Sequence, residues 1–172
     1  VDALPKHDYV AVRYWDKAAT EGGGALSAGL RITRSRRTGL WYIADAEYGH
    51  WSAMQREAVI RQKAEEDGTR VHAVVEQEPG GSGKESAEAT VRGLAGWSVH
   101  VDRPHDSKME RAQPLSAQAE VGNVKLLRAA WNADFLAHAH RFTGAGSKGL
   151  IDLIDAAAGG FNQCPPLRSL AP

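Results

Sequence analysis

The chain has 172 residues, 42% of them hydrophobic and 24% charged, which suits one globular domain with its own core. Its 21 basic and 21 acidic residues cancel, so net charge does not single out nucleic acid, although a local basic patch can sit beside an acidic site. One cysteine, Cys164, excludes an internal disulfide framework and a cysteine-rich zinc site. No apolar run is long enough to span a membrane and no signal peptide is visible. The chain opens at Val1, close to a strand, and reads as a fragment of a longer protein.

Three strands are expected first. Residues 9–15 alternate Val10, Val12 and Tyr14 with other residues and run into Asp16. Residues 25–33 and 40–47 follow, joined by a hairpin connection over residues 34–39. Short turns between sequential strands predict an antiparallel meander. The period then changes. Ser52 with Gln55 reads as a capping box, Trp51, Met54 and Ala58 as one helical face, and Asp67-Gly68 as the helix end. Val71, Val74 and Val75 predict a short buried strand over residues 70–76. A helix is expected over 85–94 with Ala87, Val91 and Leu94 on one stripe, and a strand over 97–101. Residues 109–120 read as helical or irregular, because Pro114 interrupts them. A short strand over 124–127, helices over 132–142 and 151–161, and a loose tail over 163–172 complete the chain.

Three antiparallel strands followed by alternating helices and strands predict an α/β layer with a mixed sheet. The order of elements is that of ribonuclease H-like (integrase-like) folds, with helices flanking a central sheet. In that fold the first and fourth strands lie side by side. Asp16 and Glu76 would then meet at their carboxyl ends, with the last helix packed over them. Asp152 and Asp155, three apart on that helix, share a face. Carboxylates gathered in this way repel one another unless a cation neutralises them. Mg²⁺ is the natural choice, since it takes hard oxygen ligands and keeps waters for a substrate phosphate. Two such ions about 4 Å apart would activate water and stabilise a leaving oxygen. Taken singly, each acid reads as an ordinary strand-end or helix-cap residue; the set of them carries the expectation.

Several segments resemble one known family. Trp15-Asp16-Lys17-Ala18-Ala19, followed by Glu21 and Gly22 to Gly24, is similar to the first acidic motif of the nuclease domain of tailed-bacteriophage terminase large subunits. Val75-Glu76-Gln77-Glu78-Pro79-Gly80, continuing through Gly81, Ser82 and Gly83 to Lys84, resembles their second motif. The segment from Lys108 through Arg111 and Ala112 to Pro114, with Gly122 to Val124 after it, resembles their connecting segment. Trp131-Asn132 with Phe135-Leu136, and Ile151-Asp152 with Asp155-Ala156, look like the closing motif. Two departures stand out. The family shows two adjacent acids where this chain has Ile151-Asp152, and Glu and Phe-Pro where it has His138 and Phe142-Thr143. The second departure would allow His138 a place near the acids, although a histidine in a helix reads first as a surface residue.

The resemblance implies a metal-dependent endodeoxyribonuclease that cuts double-stranded concatemeric DNA with low sequence specificity during genome packaging. Asp16, Glu76 and Asp152 would be catalytic metal ligands for Mg²⁺ or Mn²⁺, and Asp155 an orienting neighbour or alternative ligand. Glu78 is a supporting acid beside Glu76. The expected partners are an ATPase domain of the same polypeptide, the small terminase subunit and the portal, in the host cytoplasm and away from any membrane. Residues 1–162 would form the nuclease domain and 163–172 its tail, with no ATPase motif in this chain.

For DNA, Lys17, Lys108 and Arg111 are expected in loops near the acids, Lys84 at a helix N-terminus, and Arg34, Arg36 and Arg37 at the hairpin. Such contacts position a duplex without reading its sequence. Two alternatives share the fold: a ribonuclease H or junction resolvase, and a non-catalytic nucleic-acid-binding domain.

Overall fold

The computed structural model describes residues 1–6, 8–18, 26–142 and 151–167. Residues 19–25 of the expected first motif and second strand, Thr143, and 168–172 of the expected tail lie outside the described residues. The strands are β1 (Tyr9–Asp16), β2 (Ser27–Ser35), β3 (Trp41–Gly49), β4 (Val71–Glu76), β5 (Val99–Asp102) and β6 (Val124–Leu126). The helices are α1 (Ala53–Asp67), α2 (Gly81–Gly93), α3 (Lys108–Glu120), α4 (Asn132–Arg141) and α5 (Asp152–Gln163).

The strands form one mixed sheet in the order β5-β4-β1-β2-β3-β6. The expected meander is present as β1-β2-β3. β4 pairs parallel to β1, and β5 parallel to β4. This is the ribonuclease H-like architecture expected from the order of elements, with β6 added parallel to β3 at the far edge.

Two apolar layers clamp the sheet. One holds Tyr14, Leu30, Ile32 and Val74 against Leu115, Phe135, Leu153 and Ala156 of α3, α4 and α5. The other holds Trp15, Ala73 and Val75 against Ile60, Ala64 and Ala87 of α1 and α2. Side chains alternate between the two faces along each strand, so odd and even positions of β1 supply different cores. Trp41 and Trp131 are buried and Trp51 and Trp97 partly so, as expected of packing residues. α5 reaches the sheet closely because its inner residues are Ala156, Ala157, Ala158, Gly159 and Gly160. A methyl group on Gly159 would collide with the Tyr14 ring, and one on Gly160 with Ile32.

The capping box at Ser52 and Gln55 starts α1, and Gly68 at φ 70° ends it. Its buried face is Arg56, Ile60 and Ala64. The expected Met54 stripe is corrected: Met54 is 83% exposed. Ala58, of the same expected face, is exposed too, and only Trp51 packs partly against the second core. α2 starts at Gly81, four residues earlier than expected. The Gly81-to-Lys84 stretch is therefore its first turn, which places Lys84 near the helix N-terminus as expected. Only glycine fits at position 83, where a side chain would strike the Glu78 carbonyl. α3 runs through Pro114 without interruption, anchored by a Ser107–Glu110 capping box and by buried Arg111, Ala112 and Leu115.

Candidate active site

Strand alternation decides which acids meet. Tyr14 and Asp16 on β1, and Val74 and Glu76 on β4, point toward α5; Arg13, Trp15 and Lys17 point toward α1 and α2. The register pairs Glu76 with Asp102 of β5, which puts Asp102 on the same side. α5 lies over β1 and β2 and brings Asp152 and Asp155 to this end of the sheet. The Asp16 carboxyl is held well above the usual carboxylate range. Burial is the largest cause; repulsion from Glu76 and Asp155 follows, opposed by Lys108, with Asp152 adding to it. Glu76, Asp155 and Asp152 thus all lie within electrostatic reach of Asp16.

α3 supplies the opposing charge. Arg111 is expected in a loop as a DNA contact, but it is a buried helical residue. Its Nη1 donates to Glu76 Oε2 at 3.0 Å and its Nη2 to Asp155 Oδ1 at 2.5 Å. Lys108, also on the helix, is half exposed and sets Nζ 2.6 Å from Asp155 Oδ2. Both oxygens of Asp155, itself only 1% exposed, therefore face cations. Asp152 opens α5 and its Oδ2 accepts from Leu26 N at 2.9 Å. Negative charge in this first turn also suits the helix dipole.

His138, expected at the surface, is buried. Leu153 N donates to its Nδ1 at 3.4 Å, so it serves the α5 N-terminus, where amides lack partners within the helix. Burial lowers its pKa and favours the neutral ring that can accept.

The remaining expected DNA contacts divide by location. Lys17 Nζ donates to Ser86 O at 2.7 Å and Thr90 Oγ1 at 2.9 Å. Burial lowers its pKa to about 8, against the pull of Glu57. This ammonium is committed inside the molecule, because position 17 continues the β1 alternation onto the α2 face. Lys84 is exposed on the first turn of α2, with Glu88 3.8 Å away. Arg34 lies over the Trp41 ring at 4.6 Å, and Arg36 Nε is 3.5 Å from Asp8. Arg37 is exposed at the same hairpin. Tyr9 pairs with Ser35, so that hairpin stands at the start of β1 while Asp16 ends it. Seven strand steps separate them by about 23 Å. Glu78 lines a small polar cavity of about 150 Å³ with Lys17, Arg56, Glu76 and Ser86.

Two residues of the cluster escape the sequence reading. The Tyr14 hydroxyl lies 2.7 Å from both Glu76 Oε2 and Asp102 Oδ2. Burial first, then the charge of Glu76, pushes its pKa far up and keeps it protonated. Asp102 ends a parallel strand beside Glu76, so the strand-end rule that selects Asp16 and Glu76 selects it too. Tyr14 shares the face of Asp16 by simple alternation.

Among the described residues, no three His, Cys, Asp or Glu side chains stand together as a group able to hold a metal ion. The donors are nevertheless of the kind a hard cation takes: carboxylate oxygens, one of them kept from ionising first by burial and then by its acidic neighbours, with Lys108 and Arg111 as counter-ions.

The fold and this acidic end define the class as ribonuclease H-like. A family model described as the terminase RNaseH-like domain matches residues 13–162, and the chain belongs to that family. The nuclease domain of the P22 large terminase superposes with a TM-score of 0.71 at 14% sequence identity, over 98% of this chain and 90% of that one. The large terminase nuclease domain of bacteriophage SPP1, crystallised with bound Mn, gives 0.52 at 13% identity, over 91% of this chain and 86% of that one. No curated protein sequence matches the chain. The resemblance expected from the motifs is borne out.

Proposed function

We propose that this domain is a divalent-metal-dependent endonuclease that cuts double-stranded DNA during genome packaging. The observation that carries the proposal is the convergence of Asp16, Glu76, Asp152 and Asp155 at one end of the sheet. Burial first, and then repulsion from Glu76 and Asp155, holds the Asp16 carboxyl up. Family membership and the Mn bound by the SPP1 domain support the reading. Asp16, Glu76 and Asp152 are the residues proposed to hold Mg²⁺ or Mn²⁺ as a pair of ions. When bound, these ions would supply an activated water and charge stabilisation at the phosphodiester.

The chain's own groups would do the rest. Arg111 and the buried surround fix Glu76, and Asp152 is tied to the Leu26 amide. Lys108, half in solvent, is the cation best placed to trade Asp155 for a DNA phosphate. Lys84 is a second candidate for that contact. The hairpin arginines would meet a duplex only well away from the acids. In its parent protein the domain would work with an ATPase domain, the small subunit and the portal in the host cytoplasm.

Plasmid nicking in Mn²⁺ tests the proposal. Asp16→Asn and Glu76→Gln should each abolish nicking, because each removes a carboxylate proposed to hold the ions. Full activity in both variants would sink the site. A second reading, a non-catalytic DNA-binding domain of the same fold, draws on the absence of a ready three-acid group among the described residues. It expects no Mn²⁺ heat in calorimetry and no cleavage of any DNA.

A further inference from the structure

Glu76 is held at one oxygen by two elements, β1 and α3. Its Oε2 faces the Tyr14 hydroxyl at 2.7 Å and Arg111 Nη1 at 3.0 Å. The same hydroxyl is 2.7 Å from Asp102 Oδ2. The other oxygen of Asp102 accepts from Gln163 Nε2 at 2.9 Å. Gln163 is the last residue of α5, whose first residue is Asp152. A chain of polar contacts thus runs from the end of α5 through β5 and β1 to Glu76 on β4. With both of its oxygens engaged, Asp102 is an anchor and offers no free ligand atom. Tyr14 is fully buried under Gly159 and is confined by that helix. Its oxygen has no freedom to serve another partner.

A carboxylate that binds a cation through one oxygen works best when its other oxygen is pinned, because the binding orientation then costs little entropy. We infer that Tyr14 and Asp102 are positioning residues that fix the Glu76 carboxylate by its Oε2 and leave Oε1 to face a divalent cation. This inference rests on the metal-nuclease reading given above. Neither residue would touch DNA or the ion. Both would act through Glu76.

The test is Mn²⁺ titration by calorimetry on the parent chain, Tyr14→Phe, Asp102→Ala, Asp102→Asn and Glu76→Gln, with thermal melting of each. Tyr14→Phe deletes one oxygen and leaves the ring under Gly159, so its fold should persist. Loss of a group that orients a ligand typically weakens metal affinity by about 10–100-fold. A loss of about tenfold is expected for Tyr14→Phe and for Asp102→Ala. Asp102→Asn should stay within about threefold of the parent, since its amide can still engage the Tyr14 oxygen and leaves the hydroxyl hydrogen to Glu76. A purely structural role would lower melting temperature without this split between Asn and Ala. If the parent and Tyr14→Phe bind Mn²⁺ equally well while Glu76→Gln does not, the inference falls and the metal site stands. If the parent binds no Mn²⁺ at all, both fall together.

Discussion

At the scale of single residues, Arg111 ties two acids of the site to α3. It is buried against Glu76 and against Asp155, which is itself almost fully enclosed. Removing one partner of a buried ion pair leaves a charge that neither water nor protein compensates, at a cost of about 3–5 kcal/mol. Arg111→Met should therefore lower stability in urea melts by that amount. Arg111→Met combined with Asp155→Leu should recover part of the loss, because one of the two carboxylates that face the arginine is then gone and only Glu76 is left without it. Equal destabilisation by the single and double variants would show that packing, and not charge, is what Arg111 contributes. Lys17 shows the contrary case of a cation that looks like a DNA contact in the sequence and is spent inside. Its identity and its neighbour Asp16 are plain in the sequence. Which way it points depends on β1 alternation carried one residue past the strand.

At the scale of elements, α5 decides whether the acids converge. Its inner face of alanines and glycines lets the helix axis approach β1 and β2, which brings Asp152 and Asp155 down onto the end of β1. Gly159→Ala would gain about 1 kcal/mol in helix propensity but force a methyl into the Tyr14 ring. Overpacking of that kind costs about 1–3 kcal/mol, so the expected net result is destabilisation of about 1 kcal/mol in thermal or chemical melts. An unchanged or raised melting temperature would mean that the helix can lift without penalty. Sequence periodicity finds α5 and its two aspartates, yet it places α1 on the wrong face at Met54. A face is chosen by what the neighbouring strands offer, and here Ile60 and Ala64 meet Trp15, Ala73 and Val75. Pro114 misleads in the same direction: the loss of one hydrogen bond on the exposed side of α3 is outweighed by its cap and its buried stripe.

For the whole molecule, stability at alkaline pH follows from tyrosines bonded to carboxylates. The Tyr48 hydroxyl of β3 donates to Asp134 Oδ2 of α4 at 2.5 Å. That bond raises the Tyr48 pKa from 10.0 to about 12, with burial a smaller cause. The folded form keeps its proton longer than the unfolded chain. The contribution is therefore complete below pH 10 and fades as pH rises from 10 to about 12. Tyr48→Phe should flatten part of the decline in melting temperature over that window, leaving the part due to buried Tyr14 and to the Cys164 thiol, which burial also raises. A slope identical in parent and variant would show that this link between sheet and helix does not hold in solution.

Read alone, the sequence settles the order of the elements, the antiparallel meander, the caps at Ser52 and Gly68, and the family through its motif segments. These depend on contacts between residues close in the chain or on patterns of fixed period, which survive without knowledge of the fold. It also nominates Asp16, Glu76, Asp152 and Asp155, because strand ends and a helix face are local features. Only the tertiary structure sets Asp102 beside Glu76 and turns Lys17, Arg111 and His138 inward. It also carries the hairpin arginines to the far end of the sheet. Those outcomes depend on strand register and on the closeness of helix packing. Both are settled by surfaces meeting across long stretches of chain, where neither propensity nor spacing carries information.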